Sequence, residues 1–413
     1  MIRRKGSKRA LCMLTAALMA GYACASPGAA DFSAIPDRLS LTAGSNVSFS
    51  LALPVSAELD SGSTRAKIEQ KGGGIDISAG EVSGKANLIF RLLGILPVKE
   101  VEVSVSEEKI LIPGGKSVGI ALETAGLIVI GTSDIGANES PAGAAGLRPG
   151  DIITHVDGTA VTDAQQLSSM LDGGKDAQLT VCRNGEMMQV SVVPVADARD
   201  HSAKIGAWVR SSTAGVGTLT YIDPEDNSFA ALGHPISDAD TGVIMPVAVG
   251  GLYENEIVEI HAGESGAPGE IVGDFFTNER MIGEVTDNTQ LGIFGKGYSA
   301  GSDGLIYPQG LPMASGNEVE IGPAQILTTV DEDVQLFDCE IERADTGKMQ
   351  PRPIVVHITD EELLEKTGGI VQGMSGSPII QDGKLVGAVT HVLVNDPARG
   401  YGIFIENMLD AAG

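Results

Sequence analysis

A short loop, Gly368-Gly369-Ile370-Val371-Gln372-Gly373-Met374-Ser375-Gly376-Ser377-Pro378, holds the residue types needed to present one hydroxyl to an amide. Gly373 lets the backbone turn where a side chain would clash, so that its N–H and that of Ser375 can converge on one developing oxyanion. Ser375 is the candidate nucleophile, and Gly373 with Ser375 supplies the candidate oxyanion donors. Ile379-Ile380 then begins a strand that turns at Asp382-Gly383, a dipeptide suited to a two-residue hairpin, and returns as Leu385-Val386-Gly387-Ala388-Val389. Taken alone, the loop also reads as a Gly/Ser-rich β-turn without chemistry, so partners elsewhere in the chain decide.

Serine attack on an amide needs a base for the hydroxyl proton and a group that orients the base. The apolar run Phe229-Ala230-Ala231-Leu232 ends on Gly233-His234 and a turn, Pro235-Ile236-Ser237-Asp238, which would present an imidazole at a barrel's rim. Thr359-Asp360-Glu361-Glu362-Leu363-Leu364 opens a short helix with a Thr359/Glu362 capping box, and Asp360 lies in its first turn. His234, Asp360 and Ser375 give one residue of each kind. Asp238 and Asp240 stand as rival orienters, Ser377 as a rival nucleophile, and His391 and His357 as rival bases. Lys384 would suit a Ser/Lys processing peptidase, but it falls on the hairpin after the serine rather than on a helix.

The elements that must position these groups are mostly strands. The chain has 413 residues, 43% hydrophobic and 20% charged, enough for two or three packed cores, and its 54 glycines indicate many tight turns. Arg3, Arg4, Lys5, Lys8 and Arg9 precede an apolar run from Ala10 to Ala20 and Ala23-Cys24-Ala25, the pattern of an export signal or membrane anchor over residues 1–25. Without residues 1–25, which hold five basic and no acidic residues, the formal charge moves from −26 to −31. So acidic a body argues against nucleic acid or an anionic membrane surface as the main partner. Cys182 and Cys339 are too far apart in sequence to suggest a disulfide framework, and the six histidines show no zinc spacing. A metal-free enzyme without cofactor is therefore expected.

Short period-two runs from Pro36 to about Ile112 predict a small β-sandwich-like domain over residues 26–112. From Ala203 to the C-terminus, successive runs such as Gly217-Thr218-Leu219-Thr220-Tyr221, Met281-Ile282-Gly283-Glu284-Val285 and Glu318-Val319-Glu320-Ile321 predict strands again. Asp331-Glu332-Asp333 reads as a solvated turn.

Between them, Ser140-Pro141-Ala142, Ala145-Gly146-Leu147-Arg148-Pro149-Gly150-Asp151-Ile152-Ile153 and Val156-Asp157-Gly158 resemble the PDZ family over residues 113–197. That resemblance implies a carboxylate-binding loop at Val118, Gly119 and Ile120. A peptide or C-terminal tail would add as a strand beside Ile120-Ala121-Leu122, and the helix Asp163–Asp172 would form the other wall of the groove. The domain would otherwise serve only as an internal clamp.

Residues 198–413 carry the more specific likeness. Gly206-Ala207-Trp208-Val209-Arg210, Ala231-Leu232-Gly233-His234-Pro235-Ile236, Ile370–Ile380 and Gly387-Ala388-Val389-Thr390-His391-Val392 resemble the stage IV sporulation protein B serine peptidases. The resemblance implies a mainly β, multidomain chain: an N-terminal β domain, a PDZ domain and a chymotrypsin-like double β-barrel peptidase with His234, Asp360 and Ser375 as catalytic residues. It also implies an exported sporulation signalling endopeptidase that processes itself in the space between forespore and mother cell. There it cleaves a membrane-bound regulator of an intramembrane metalloprotease, triggering activation of a late sigma factor. The competing class is a non-catalytic PDZ-bearing envelope adaptor.

Overall fold

The computed structural model describes residues 35, 37–50, 55–60, 66–71, 74–80, 84–136, 139–275, 280–345 and 352–412. The export segment and the linker to residue 34 lie outside them, as does the expected strand continuation Leu51-Ala52-Leu53. Two compact units divide the chain: residues 1–109 with 312–320 and 344–353, and residues 110–311 with 321–343 and 354–413.

In the first unit, a four-stranded sheet (Arg38–Thr42, Leu96–Ser106, Gly84–Leu92, Val55–Leu59) faces a three-stranded one (Asn46–Ser50, Gly74–Ala79, Ala66–Lys71). Alternation puts Leu88, Phe90, Val101 and Val103 of one sheet and Ile75 and Ile77 of the other in a common buried core, as in a sandwich. The expected strand Glu318–Ile321 does not form. Glu318 instead closes a capping box, its carboxylate accepting from the Ser315 N–H at 2.9 Å, and the segment joins this unit.

Twelve strands of the second unit position the site. We number them β1 (Ser117–Thr132), β2 (Ala207–Ile222), β3 (Phe229–Ala231), β4 (Val247–Glu254), β5 (Met281–Thr289), β6 (Gly292–Lys296), β7 (Gly322–Thr329), β8 (Val334–Ala344), β9 (Ile354–Ile358), β10 (Pro378–Gln381), β11 (Lys384–Leu393) and β12 (Asp396–Phe404). β1 to β6 close a six-stranded barrel in the order first, second, third, sixth, fifth, fourth, and β7 to β12 close a second barrel in the same circular order. Closure pairs the strands of each barrel around the ring and leaves unpaired edges only at strand ends, as on β11 beyond Val389. Asp331-Glu332-Asp333 is the turn joining β7 to β8, as expected. Asp382 (φ 49°) and Gly383 (φ 74°) make the expected hairpin turn between β10 and β11.

The first barrel is discontinuous in sequence. Its β1 precedes the PDZ-like segment and its β2 follows it, with Ser117 opposite Thr218 and Thr132 opposite Ala207 along one ladder. The first barrel therefore takes one of its strands from before the PDZ segment. The PDZ sheet itself runs Glu186–Val192, Ala177–Arg183, Ile152–Val156 and the far end of β1. The expected helix forms over Ala164–Leu171, capped by Asp163, whose carboxylate accepts from the Gln166 N–H, and it buries Leu167 and Leu171.

This topology corrects the reading of Val118, Gly119 and Ile120 as a carboxylate-binding loop. In β1 they pair with Gly217, Val216 and Gly215 on one side and with Glu254, Tyr253 and Leu252 on the other. Val118 and Ile120 are 1% exposed in the barrel core, and a Cβ at Gly119 would overlap the Phe275 ring at 2.0 Å. The residues that the PDZ resemblance set in a loop belong to a barrel strand with both edges taken. Nor is the PDZ half of β1 open: it pairs with β2 at Ala207–Arg210, and Ile205, Ala207 and Val209 pack into the PDZ core with Leu167, Met170 and Leu171.

Candidate active site

The serine loop follows the helix Glu361–Thr367, which Gly368 ends in the left-handed conformation (φ 70°). The helix begins one residue later than the expected Thr359/Glu362 box would set it. Asp360 is the N-cap, because its carboxylate accepts from the Leu363 N–H at 3.1 Å. Beyond the helix, Ile370 N–H donates to Pro397 O, Gln372 N–H to Gly269 O and Gly376 N–H to Val389 O. From the first barrel, Thr218 N–H donates to Ser375 O at 2.9 Å and its hydroxyl to Gly373 O at 2.8 Å. The loop is thus held by both barrels.

Two glycines are sterically required. Gly376 (φ 100°) sits where a Cβ would stand 2.1 Å from Thr218 O, and Gly373 (φ 99°) where one would press on Ile271 at 2.9 Å. With that backbone, the N–H groups of Met374, Gly376 and Ser377 are used by Val371, Val389 and Met374 carbonyls. Those of Gly373 and Ser375 take no acceptor among the described residues, as an oxyanion hole needs.

Ser375 is half-buried and its Oγ donates to Thr390 O at 2.7 Å. Ser377, the rival nucleophile, is 0% exposed and donates to Met374 O at 2.7 Å, so no substrate reaches it.

His234 follows β3 through a tight bend. Leu232 takes φ 67° and Gly233 N–H bonds back to Ala231 O at 2.8 Å, a γ-turn with a side chain in the left-handed region. Burying Leu232 in the first barrel's core holds the bend. The His234 Nδ1 lies 2.8 Å from Pro235 O. A carbonyl can only accept, so this contact puts the hydrogen on Nδ1 and leaves the Nε2 lone pair to act as base. The His234 ring packs on that of His391 with centroids 4.7 Å apart and planes tilted by 41°. A Cβ on Gly233 would touch the Thr390 methyl at 2.9 Å. The two residues Thr390 and His391 therefore bring Ser375 and His234 to one junction of β11.

The structure does not bring Asp360 into that junction. Its Oδ1 accepts from Leu363 N–H and its Oδ2 from Asp338 N–H at 3.2 Å, so it caps the helix and ties it to β8. Asp360→Ala is expected to lower stability by about 1 kcal/mol, and Asp360→Ser, which also caps, to restore most of it, read from urea denaturation midpoints.

The rival acids Asp238 and Asp240 both pair with Arg210 on β2, and Asp238 is 2% exposed. Burial pushes the Asp238 carboxyl up, but bonds from Thr241 and Arg210 outweigh it and hold the group below its ordinary range. A depressed carboxyl stabilises the fold above the ordinary carboxylate range and loses that contribution as pH falls through its lowered value. Asp238→Asn is expected to cost about 2 kcal/mol near neutral pH and to flatten the loss of stability below about pH 4, measured by denaturation across pH.

His357 belongs to a separate ion cluster, 3.3 Å from Glu342, whose carboxylate takes a bidentate bond from Arg399. That bond holds the Glu342 carboxyl below its usual range. Lys384 stands opposite Gln381 on the β10–β11 hairpin. Among the described residues Cys182 and Cys339 are free, and burial raises the Cys339 thiol to about 12. Among the described residues, no three His, Cys, Asp or Glu side chains converge as metal ligands.

Sequence reasoning missed Thr218 and the carbonyl of Thr390. Both act through backbone or hydroxyl contacts that no residue-type motif marks.

Two barrels of one circular order, a serine loop on the second and a histidine loop on the first, define a double-barrel serine peptidase carrying a PDZ insertion. A model of the SpoIVB peptidase S55 family matches residues 201–409, half of the chain, and a PDZ domain model matches residues 136–183. The chain belongs to the SpoIVB peptidase S55 family, the sporulation serine peptidases. No curated protein matches. Among solved structures, the PDZ domain of an SdrC-like protein from Listeria monocytogenes is 23% identical, covering 21% of this chain and 87% of that one with a TM-score of 0.18. The Rv3671c protease from M. tuberculosis, in its active form, is 13% identical over 48% of this chain and 72% of that one, TM-score 0.28. A titin I9-I11 tandem is 11% identical over 64% and 89%, TM-score 0.13.

Proposed function

We propose that Ser375 is the nucleophile and His234 the general base of this peptidase. The observation that carries the assignment is the convergence of both at Thr390 and His391, beside the two N–H groups of Gly373 and Ser375. β10 pairs with β11 only as far as Pro378 opposite Ala388. Beyond Val389, β11 has β12 on one side, and a substrate backbone would add as a strand on the other. Its scissile carbonyl then lies over Ser375.

The Ser375 hydroxyl exchanges Thr390 O for His234 Nε2, which takes the proton as Oγ bonds to the carbonyl carbon. The carbonyl oxygen becomes an oxyanion on the Gly373 and Ser375 N–H groups. Collapse expels the amine, which receives the same proton from His234, and water then hydrolyses the acyl-enzyme with His234 again as base. In this conformation the Pro235 carbonyl holds the imidazole tautomer.

The biological reading follows from family membership together with the basic-apolar leader of residues 1–25. The protein is exported to the space between forespore and mother cell, processes itself, and cleaves a membrane-bound regulator of an intramembrane metalloprotease, thereby activating a late sigma factor. The PDZ segment, its β1 edge occupied by the chain's own β2, serves first as an internal clamp on the first barrel. Incubation with a fluorophosphonate probe tests the core of the proposal: the adduct is expected on Ser375 by peptide mapping, and an unlabelled, folded protein would favour the adaptor class.

A further inference from the structure

We propose that Asn288, on β5, is a positioning residue for His234; the inference rests on the reading of His234 as the base. The loop between β3 and β4 leaves Gly233, passes His234, and closes on itself at a neck. Met245 N–H donates to Ile236 O at 3.1 Å, Ser237 bridges Ile244, and Asp238 N–H donates to Val243 O. Asp238, Thr241 and Arg210 order the tip beyond the neck. Asn288 fastens the neck to the barrel wall. Its side-chain oxygen accepts from Ile236 N–H at 2.9 Å, while its amide donates to Ile236 O at 2.7 Å and to Met245 O at 2.9 Å.

One orientation of the amide satisfies all three bonds, since the flipped one would set the NH2 against an N–H and the oxygen against two carbonyls. Ile236 is only two residues from His234, and Met245, at the other side of the neck, is 0% exposed. The preceding turn at Leu232 is in the left-handed region, so the imidazole hangs between a strained bend and the Asn288 clamp. A shift of about 1 Å in a reacting group costs on the order of a hundredfold in rate. No aspartate can do this work, because a carboxylate has no donor for the two carbonyls.

Asn288→Ala is expected to lower kcat about a hundredfold with KM changed less than about twofold, since the substrate-binding edge on β11 is untouched. Asn288→Asp, nearly isosteric, keeps the acceptor for Ile236 N–H but repels both carbonyls and is expected to lose as much; it serves if the alanine variant does not fold. In a His234→Ala background, Asn288→Ala is expected to change the residual rate less than about twofold, because its effect passes through the imidazole. Equal fold-losses in the two backgrounds would mean general damage and would overturn the inference. So would wild-type kcat in the folded Asn288→Ala and Asn288→Asp variants while His234→Ala remains inactive. Full activity of His234→Ala would instead remove the base assignment itself.

Discussion

Replacing Ser375 by alanine is expected to lower the peptidase rate by about a millionfold, to the level left by binding and the oxyanion donors alone. The expectation is this large because nothing else in the loop can substitute. Ser377 is sealed in the second barrel's core with its hydroxyl on Met374 O. The fold should survive, since the variant removes one bond, from a half-buried hydroxyl to Thr390 O, worth about 1 kcal/mol. Every backbone bond that shapes the loop remains: Thr218 to Ser375 O, Gly376 to Val389 O and Ser377 to Met374 O. Turnover of a peptide substrate, fluorophosphonate labelling and a thermal melt on the same preparation give the three readings needed. A folded Ser375→Ala protein keeping more than about 1% of wild-type turnover sinks the nucleophile assignment.

Much of this arrangement was legible in the sequence because it is local. The Asp382-Gly383 hairpin, the strand ending at His234, the PDZ helix and the glycines around Ser375 each follow from a few consecutive residues whose conformational needs are distinctive. What could not be read is non-local. The pairing of Ser117 with Thr218 spans the whole PDZ insertion, and the inward alternation of Val118, Ile120 and Leu122 looks the same in a barrel strand as in a peptide-binding strand. The Thr359/Glu362 box was a sound local pattern, yet Asp360, one residue on, offers the better acceptor and engages Asp338 across from β8. Asn288 carries no local signal at all: it is one asparagine in a polar strand end until the loop from Ile236 to Met245 folds over it.

The discontinuity of the first barrel bears on function as well as on boundaries. β2 leaves the PDZ sheet at Arg210, where the register shifts, and enters the barrel at Ser212, and Arg210 is the residue that pairs with Asp238 in the histidine loop. The same strand carries Thr218, whose N–H and hydroxyl bond Ser375 O and Gly373 O, so β2 runs from the PDZ sheet to both the histidine loop and the serine loop.

His234→Ala is the second change expected to be severe, with a loss of at least about a thousandfold in kcat. Without an acceptor for its proton, the Ser375 hydroxyl stays on Thr390 O and attacks as a neutral alcohol. The choice among four histidines rests on placement. His357 is committed to Glu342 on the second barrel, His261 lies on an exposed strand between Glu259 and Glu270, and His391 packs its ring against His234 from the substrate-side strand. His234 has its Nδ1 held by a carbonyl and follows Gly233, whose backbone lies against the Thr390 methyl. Because alanine leaves a space the size of the lost ring, added imidazole is expected to restore part of the fluorophosphonate labelling of Ser375 in His234→Ala and none in Ser375→Ala. If His234→Ala labels at the wild-type rate without imidazole while His391→Ala does not, the base is His391, and the tautomer argument built on Pro235 falls with the assignment.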